Sequence, residues 1–241
     1  IIYSQMVKIC SIGESQVAEE IEDLIESQTN PTIAPYAKTG EVHLRITAEG
    51  KNEKECKKLI KPVVKELKAR FGRNIFATEE SKSLEEAVVD MLKEQEMTLS
   101  LAESCTGGAI AARIVNVSGA SEVFLQGMVT YSNKAKRRCL DVSKSTLKKH
   151  GAVSEECAAE MAKGGRKASK TDICLSVTGI AGPGGGTKEK PVGTVFMGCS
   201  YKGCTQVREF HFQGNRARVR EQTVAHGLAF LRDCMMERAD K

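Results

Sequence analysis

Thr98-Leu-Ser-Leu-Ala-Glu-Ser-Cys-Thr-Gly-Gly108 is the stretch on which the reading of this chain turns. Its short apolar run ends in Glu103 and Ser104, then passes through Cys105 and Thr106 into two glycines, and a helical pattern starts at Ala109. A serine on a sharp strand-to-helix turn presents its hydroxyl, and the first N–H groups of the following helix have no intrahelical partner. An acyl-transfer site needs these parts: a nucleophile, and donors for the oxyanion its attack creates. A blander reading of the same residues is a small-residue turn with Thr106 as a helix N-cap.

Outward from this turn, strands and helices alternate. Ser83 and Glu86 fit a capping box, and Leu84, Val88, Met91 and Leu92 supply an apolar helical stripe. Thr98–Glu103 reads as a strand, Gly108–Val115 as a helix, Val123–Thr130 as a strand and Ser143–Lys149 as a short helix. Ser154 caps a helix to about Ala168. Asp172–Thr178, Gly193–Tyr201 and Gln206–Phe212 read as strands, and a last helix spans about Arg216 to Arg238. Such alternation predicts an α/β domain with helices on both faces of a mixed sheet. Residues 1–77 read differently, as a small α+β module in the order β-α-β-β-α-β. Glu41–Ala48 alternates apolar and polar residues as a half-buried strand does, and Pro62 is expected to kink the basic helix of about Asn52–Phe71 or to start its main part. The expected domains are therefore 1–77 and 82–241, divided near Thr78–Lys82.

The 241 residues carry a formal charge of +5, with 28% charged and 41% hydrophobic residues, an ordinary globular balance. No apolar run reaches the roughly 18 residues that span a bilayer, and the N-terminus has no signal-peptide layout. The start, Ile1-Ile2-Tyr3, reads as that of a piece of a longer protein. The nine cysteines are odd in number and dispersed, with no C-x-x-C pair, which predicts reduced thiols and a cytoplasmic location. The four histidines show no ligand spacing, so neither a metal nor a cofactor is expected. Lys51–Arg73 holds nine Lys or Arg against three Glu. A solvated helix face explains this; a nucleic-acid footprint is the sharper alternative, weakened by the scarcity of aromatics for base stacking.

Three further segments could carry chemistry. Gly127–Lys136 is a strand ending in a polar cluster with two lysines, which solvation alone would also explain. Gly179-Ile-Ala-Gly-Pro-Gly-Gly-Gly-Thr-Lys-Glu-Lys-Pro-Val-Gly193 is glycine-rich but fails both the Walker A and the dinucleotide patterns, because Thr187 follows Gly186 and Glu189 follows Lys188. Its backbone could still approach an anion closely, or it could be a flexible surface loop. Arg216 and Arg220 lie i,i+4 near a helix start, suited to a phosphate or to pairing with Glu209 or Glu221.

These segments together resemble the CinA family. The matching residues are Ala102–Gly108, Val129-Thr-Tyr-Ser-Asn-Lys-Ala-Lys136, His150-Gly-Ala-Val-Ser154, Gly179–Pro183 and Lys190-Pro-Val-Gly-Thr-Val195, in order across residues 84–238. Ile12–Ser15 and Asn30–Ala37 resemble the small linker module that precedes that domain. The larger N-terminal domain of full-length members, associated with ADP-ribose hydrolysis, is expected to be absent. The resemblance implies a three-layer α/β/α sandwich with a mixed sheet, preceded by a small α+β (KH-like) module, and a homodimer or higher homo-oligomer. It also implies deamidation of nicotinamide mononucleotide (NMN) by a Ser/Lys hydrolase, with Ser104 as nucleophile, Lys136 as general base and Tyr131 close by. Glu103, Cys105, Thr106, Gly107, Thr178, Gly179, Gly182, Lys190, Arg216 and Arg220 are the expected substrate-binding residues. Oxyanion donors are expected near Cys105–Gly107 or Thr178–Gly179.

Cys105 is an alternative nucleophile, since a thiol at a helix start can be activated. Two rival readings stand beside the enzyme. One is a catalytically silent, competence- or damage-linked nucleotide-binding protein. The other is an RNA- or DNA-binding first module on an oligomerisation platform, although that module has no G-x-x-G clamp. Membrane and nucleic-acid partners are not expected.

Overall fold

A computed structural model of the chain describes all 241 residues, which divide into two compact units, Ile1–Ala87 and Val88–Lys241. In the first unit the chain runs β1 (Ile2–Cys10), α1 (Glu14–Glu20), α2 (Glu22–Ser27), β2 (Thr32–Lys38), β3 (Glu41–Glu49), α3 (Glu53–Phe71) and β4 (Ile75–Ala77). The strands form one antiparallel sheet in the order β2-β3-β1-β4, with β1 and β3 in register from Ile2↔Glu49 to Cys10↔Glu41. The alternation of β3 has the expected outcome: Val42, Leu44, Ile46 and Ala48 are buried, and they pack with Ile60, Leu67 and Phe71 of α3 and Val17 of α1.

Two helix details differ from the sequence reading. The one helix expected between the first two strands is split at Ile21, whose side chain is buried while its backbone leaves helical geometry (φ −113°, ψ 5°). Pro62 starts no new helix, because α3 runs unbroken from Glu53, capped by Asn52 accepting from the Glu55 amide at 2.9 Å.

Past β4 come α4 (Leu84–Glu94), which begins within the first unit, and then β5 (Leu99–Glu103), α5 (Ala109–Val115), β6 (Phe124–Val129), α6 (Asn133–Leu140), α7 (Lys144–His150), α8 (Glu155–Ser169), β7 (Ile173–Gly179), β8 (Thr194–Tyr201), β9 (Cys204–His211) and α9 (Arg216–Ala239). The Ser83–Glu86 capping box opens α4 with reciprocal bonds of 2.9 and 3.1 Å. The second unit is a mixed five-stranded sheet ordered β6-β5-β7-β8-β9; β5 is parallel to β6 and β7, and β7-β8-β9 are antiparallel. Every residue of β5 and β8 is buried, as strands covered on both faces must be. α8 packs across the sheet and carries α6 and α7; α5 and α9 pack with each other and against β5, β7 and β8.

Close approach holds the α8 layer in place. A Cβ on Gly164 would lie 1.7 Å from the Leu140 carbonyl oxygen, and one on Gly165 would lie 2.6 Å from Cys174 Sγ. α8 therefore reaches both α6 and the sheet at backbone distance. Gly164→Ala is expected to lower unfolding stability by about 3 kcal/mol, the cost of overpacking against backbone that has little room to yield. Gly184→Ala, where nothing lies within 4 Å, should cost less than about 0.5 kcal/mol. Urea denaturation of both variants checks this, and equal effects would contradict it.

Candidate active site

The carboxyl ends of the three parallel strands converge, which is where open α/β sheets present ligand sites. Ser104 follows β5, Thr130–Lys136 follow β6, and Thr178–Gly179 end β7. The turn is pinned from both sides: the Ser104 amide donates to the Val177 carbonyl at 3.1 Å, and the Thr130 amide donates to the Glu103 carbonyl at 2.8 Å. Gly107 and Gly108 then take φ of 62° and 97°, left-handed geometry that suits glycine and delays the helix to Ala109.

Thr106 is accordingly not the N-cap. Its hydroxyl donates to Glu103 Oε1 at 2.6 Å, and the Glu103 carboxylate also accepts from the Ile110 and Ala111 amides at 2.9 and 3.0 Å. Glu103 is buried, and its charge sits at the start of α5, where the helix dipole favours an anion. The Gly107 amide donates to the Ser104 carbonyl at 3.0 Å. Arg220 caps the other side of the turn, donating from Nε to the Cys105 carbonyl and from Nη2 to the Thr106 carbonyl, both at 3.0 Å.

After β6, the Ser132 hydroxyl accepts from the Ala135 amide at 3.0 Å and starts α6, a helix the sequence reading did not anticipate. One turn in, Lys136 points back under Ser104 and is only 1% exposed. Its Nζ lies 2.9 Å from Ser104 Oγ, 2.8 Å from the Thr130 carbonyl oxygen and 3.3 Å from the Tyr131 carbonyl oxygen. No carboxylate is among these partners. Burial therefore pushes the Lys136 ammonium below its ordinary pKa, opposed weakly by the neighbouring Cys157 and Cys105 thiols. The three acceptors fit either protonation state. As a neutral amine, Lys136 keeps two N–H bonds for the two carbonyls and turns its lone pair to the Ser104 hydroxyl.

The remaining expected residues fall into four groups. Cys105 is buried beside the turn, and burial pushes its thiol up to about 11. Tyr131 is 61% exposed; its hydroxyl accepts from Arg216 Nη2 at 3.0 Å, while Arg216 Nη1 donates to the Gly182 carbonyl at 2.9 Å. Thr178 and Lys190 both meet the C-terminal end of α7 and the residues just after it: the Thr178 hydroxyl donates to the Ala152 carbonyl at 2.9 Å, and Lys190 Nζ donates to the His150 carbonyl at 2.8 Å. Neither bonds Ser104 or Lys136. Gly179 lies where a Cβ would meet Val195 Cγ2 at 2.6 Å, and Gly182 where it would meet Val192 Cγ1 at 2.5 Å. The glycine-rich loop is tied at its base by the Ile180 and Gly193 amides, at 2.9 and 2.8 Å, and within by the Thr187 amide on the Lys190 carbonyl at 2.8 Å.

Arg216, Arg220 and Lys190 thus all bond to neutral oxygens and leave their charges uncompensated by carboxylates. The pairing expected as an alternative falls instead to Arg218, which meets Glu221 at 2.9 Å. The residues the sequence reading missed act through the main chain: the carbonyls of Thr130 and Tyr131 hold the lysine, and those of His150 and Ala152 receive Lys190 and Thr178. Side-chain identity carries no signal for such roles. No three His, Cys, Asp or Glu side chains converge as a metal set, and no helix is long and apolar enough to cross a membrane.

The fold and the buried pair define an α/β protein with a serine hydroxyl seated on a desolvated lysine at the strand ends, preceded by a small α+β module. Residues 81–235 match the CinA C-terminal domain, and residues 4–77 match the damage-inducible protein CinA KH domain; the chain belongs to the CinA family. A Clostridium beijerinckii protein with a competence-damage inducible name is 52% identical over 237 residues, covering 98% of this chain and 58% of that protein. A CinA-like protein of Dictyoglomus turgidum is 50% identical over 232 residues, covering 96% and 56%. The chain therefore spans a little over half the length of these curated relatives. Among solved structures, the competence/damage inducible protein CihA of Agrobacterium tumefaciens is 39% identical with a TM-score of 0.60, covering 61% of this chain and 91% of that one. A CinA superfamily protein of Escherichia coli is 31% identical with a TM-score of 0.61, covering 68% and 97%.

The depressed lysine pKa has a thermodynamic consequence. Between the folded pKa and the unfolded value near 10.4, the unfolded chain binds more protons, so stability rises with pH across that window. Below the folded pKa the burial penalty is constant. The stability of the wild type minus that of Lys136→Met is expected to be flat at low pH and to climb as pH approaches the unfolded lysine value. A series of urea denaturations across pH measures it; a difference that falls with rising pH would refute the assignment.

Proposed function

We propose that this protein hydrolyses the carboxamide of NMN, giving nicotinate mononucleotide and ammonia through a Ser104 acyl-enzyme. The observation that carries this reading is the 2.9 Å approach of buried Lys136 Nζ to Ser104 Oγ, with no carboxylate to hold the lysine charged. A serine hydroxyl needs a base, and a desolvated lysine can serve as one. Cys105 is the weaker candidate, because its raised pKa keeps the thiol protonated.

In the first half-reaction Ser104 Oγ bonds to the carboxamide carbon while its proton passes to Lys136 Nζ. The carbonyl oxygen becomes an oxyanion. The Gly107 amide is already committed to the Ser104 carbonyl, so the amides of Cys105 and Thr106 are the donors proposed for it. The C–N bond then breaks as Lys136 returns the proton to the departing nitrogen, releasing ammonia. In the second half-reaction Lys136 takes a proton from water, the hydroxide oxygen attacks the ester carbon, and Ser104 leaves with the proton.

The substrate chemistry fits the site in two further ways. A pyridinium near Lys136 disfavours its charged form, so binding would favour the free base. Arg216 and Lys190, with charges that meet only neutral oxygens, are the proposed phosphate anchors. Tyr131 is proposed to line the entrance beside Arg216, while Glu103 and Arg220 hold the turn from within. The expected assembly is a homodimer or higher oligomer.

Ammonia release from NMN tests the reading. Ser104→Ala and Lys136→Ala are each expected to lose about 10³-fold in turnover, and Cys105→Ala to stay within about tenfold of wild type. Wild-type turnover in Ser104→Ala with loss in Cys105→Ala would transfer the nucleophile to the thiol. NMN should be turned over far faster than nicotinamide riboside or nicotinamide; equal rates on all three would refute phosphate anchoring. No release from NMN by the wild type would favour a silent nucleotide-binding protein.

A further inference from the structure

Residues 134–170 carry eleven Lys or Arg against four Asp or Glu, more net positive charge than the whole chain. The fold gathers part of this charge into two adjoining depressions of about 450 Å³ each, which share Arg138 and Asp141. Lys134, Arg137 and Arg138 of α6, Lys144 at the start of α7, and Lys163 and Lys167 of α8 line them. All six are exposed and none forms an ion pair. Lys136 is on the same helix but buried inward, so this groove is separate from the Ser104 site.

The groove keeps these charges at a cost. Lys134–Arg138 and Lys163–Lys167 are like-charged i,i+4 pairs, which repel. Lys134 and Lys144 also sit in the first turns of α6 and α7, where the helix dipole disfavours a cation. Glu160 and Asp141 also line the depressions, so two carboxylates offset only part of the six positive charges. Glu160 is occupied by the Ser143 amide at 3.1 Å and the Thr146 hydroxyl at 2.8 Å, and Asp141 is the C-cap of α6. A bound anion with several charges would relieve the repulsion.

The shape and lining narrow the ligand. No aromatic side chain lines either depression, so the surface offers no platform for stacking bases. Each depression has the volume of a small-molecule site, and together they could span linked phosphates. We propose that the α6–α8 groove is a second anion site that takes an oligophosphate, three or more linked phosphates as in a nucleoside triphosphate.

Calorimetric titration of the full chain with tripolyphosphate, ATP and a short oligothymidylate, at about 0.15 M salt, tests it. One tripolyphosphate per chain is expected at the groove, weakened about tenfold or more by Arg138→Glu with Lys163→Glu. It should be unchanged by Arg216→Ala with Lys190→Ala. Equal affinity for ATP assigns recognition to the phosphate chain, and tighter ATP binding adds a nucleoside contact; either supports the site if the charge reversal weakens it. Because all the groove cations are exposed, the reversal should leave the thermal midpoint nearly unchanged, and Arg138→Gln alone gives a milder check. The proposal is overturned if tripolyphosphate does not bind, if the charge reversal leaves its affinity intact, if binding is lost instead in the Arg216/Lys190 variant, or if only the oligothymidylate responds to the reversal.

Discussion

The amino group of Lys136 sits in the interior with two main-chain carbonyls and one serine hydroxyl for company, and the rest of the second unit is arranged so that it can. A buried lysine is expensive as a cation unless a carboxylate pays for it, and the one carboxylate on the turn is turned away. Glu103 spends its oxygens on the Thr106 hydroxyl and two α5 amides. This division of labour keeps an anion at the start of α5, and leaves the lysine to neutral acceptors and a depressed pKa.

Positioning depends on backbone more than on side-chain packing. β5 hands Ser104 to the turn while hydrogen-bonded to β6 on one side and β7 on the other. Arg220 reaches from α9 to fix two successive carbonyls of the turn. Trans peptide geometry then points the Thr106 amide away from Arg220, since its N–H opposes the Cys105 carbonyl. On the far face, α6 is held against α8 at glycine distance, which fixes the helix that carries Lys136. Ser104 and Lys136, 32 residues apart, are thus set by two separate layers of one sandwich.

Much of this was legible in the sequence because periodicity reports burial. The alternation of Glu41–Ala48 and the buried run of Leu99–Glu103 became β3 and β5, and Ser83, Ser143 and Ser154 each begin a helix. α6 was not legible: Asn133-Lys-Ala-Lys-Arg-Arg-Cys-Leu140 is so polar that it reads as a loop, and its buried face consists of Leu140 and a lysine. The same polarity conceals the groove on its outer side. Thr106 looked like a cap because Thr caps helices, but two left-handed glycines move the helix start and free its hydroxyl for Glu103. Arg216 and Arg220 were placed correctly on one helix face, while their acceptors, carbonyls of distant turns, have no sequence signature.

The central claim is that Lys136 is available as a free base beside Ser104. The most direct measurement is an NMR titration of the lysine side chains, with Lys136 assigned from the spectrum of Lys136→Met. Its Cε and Nζ resonances are predicted to titrate clearly below those of the exposed lysines, with the transition unaccompanied by unfolding. Titration together with the exposed lysines, or above them, would contradict the account.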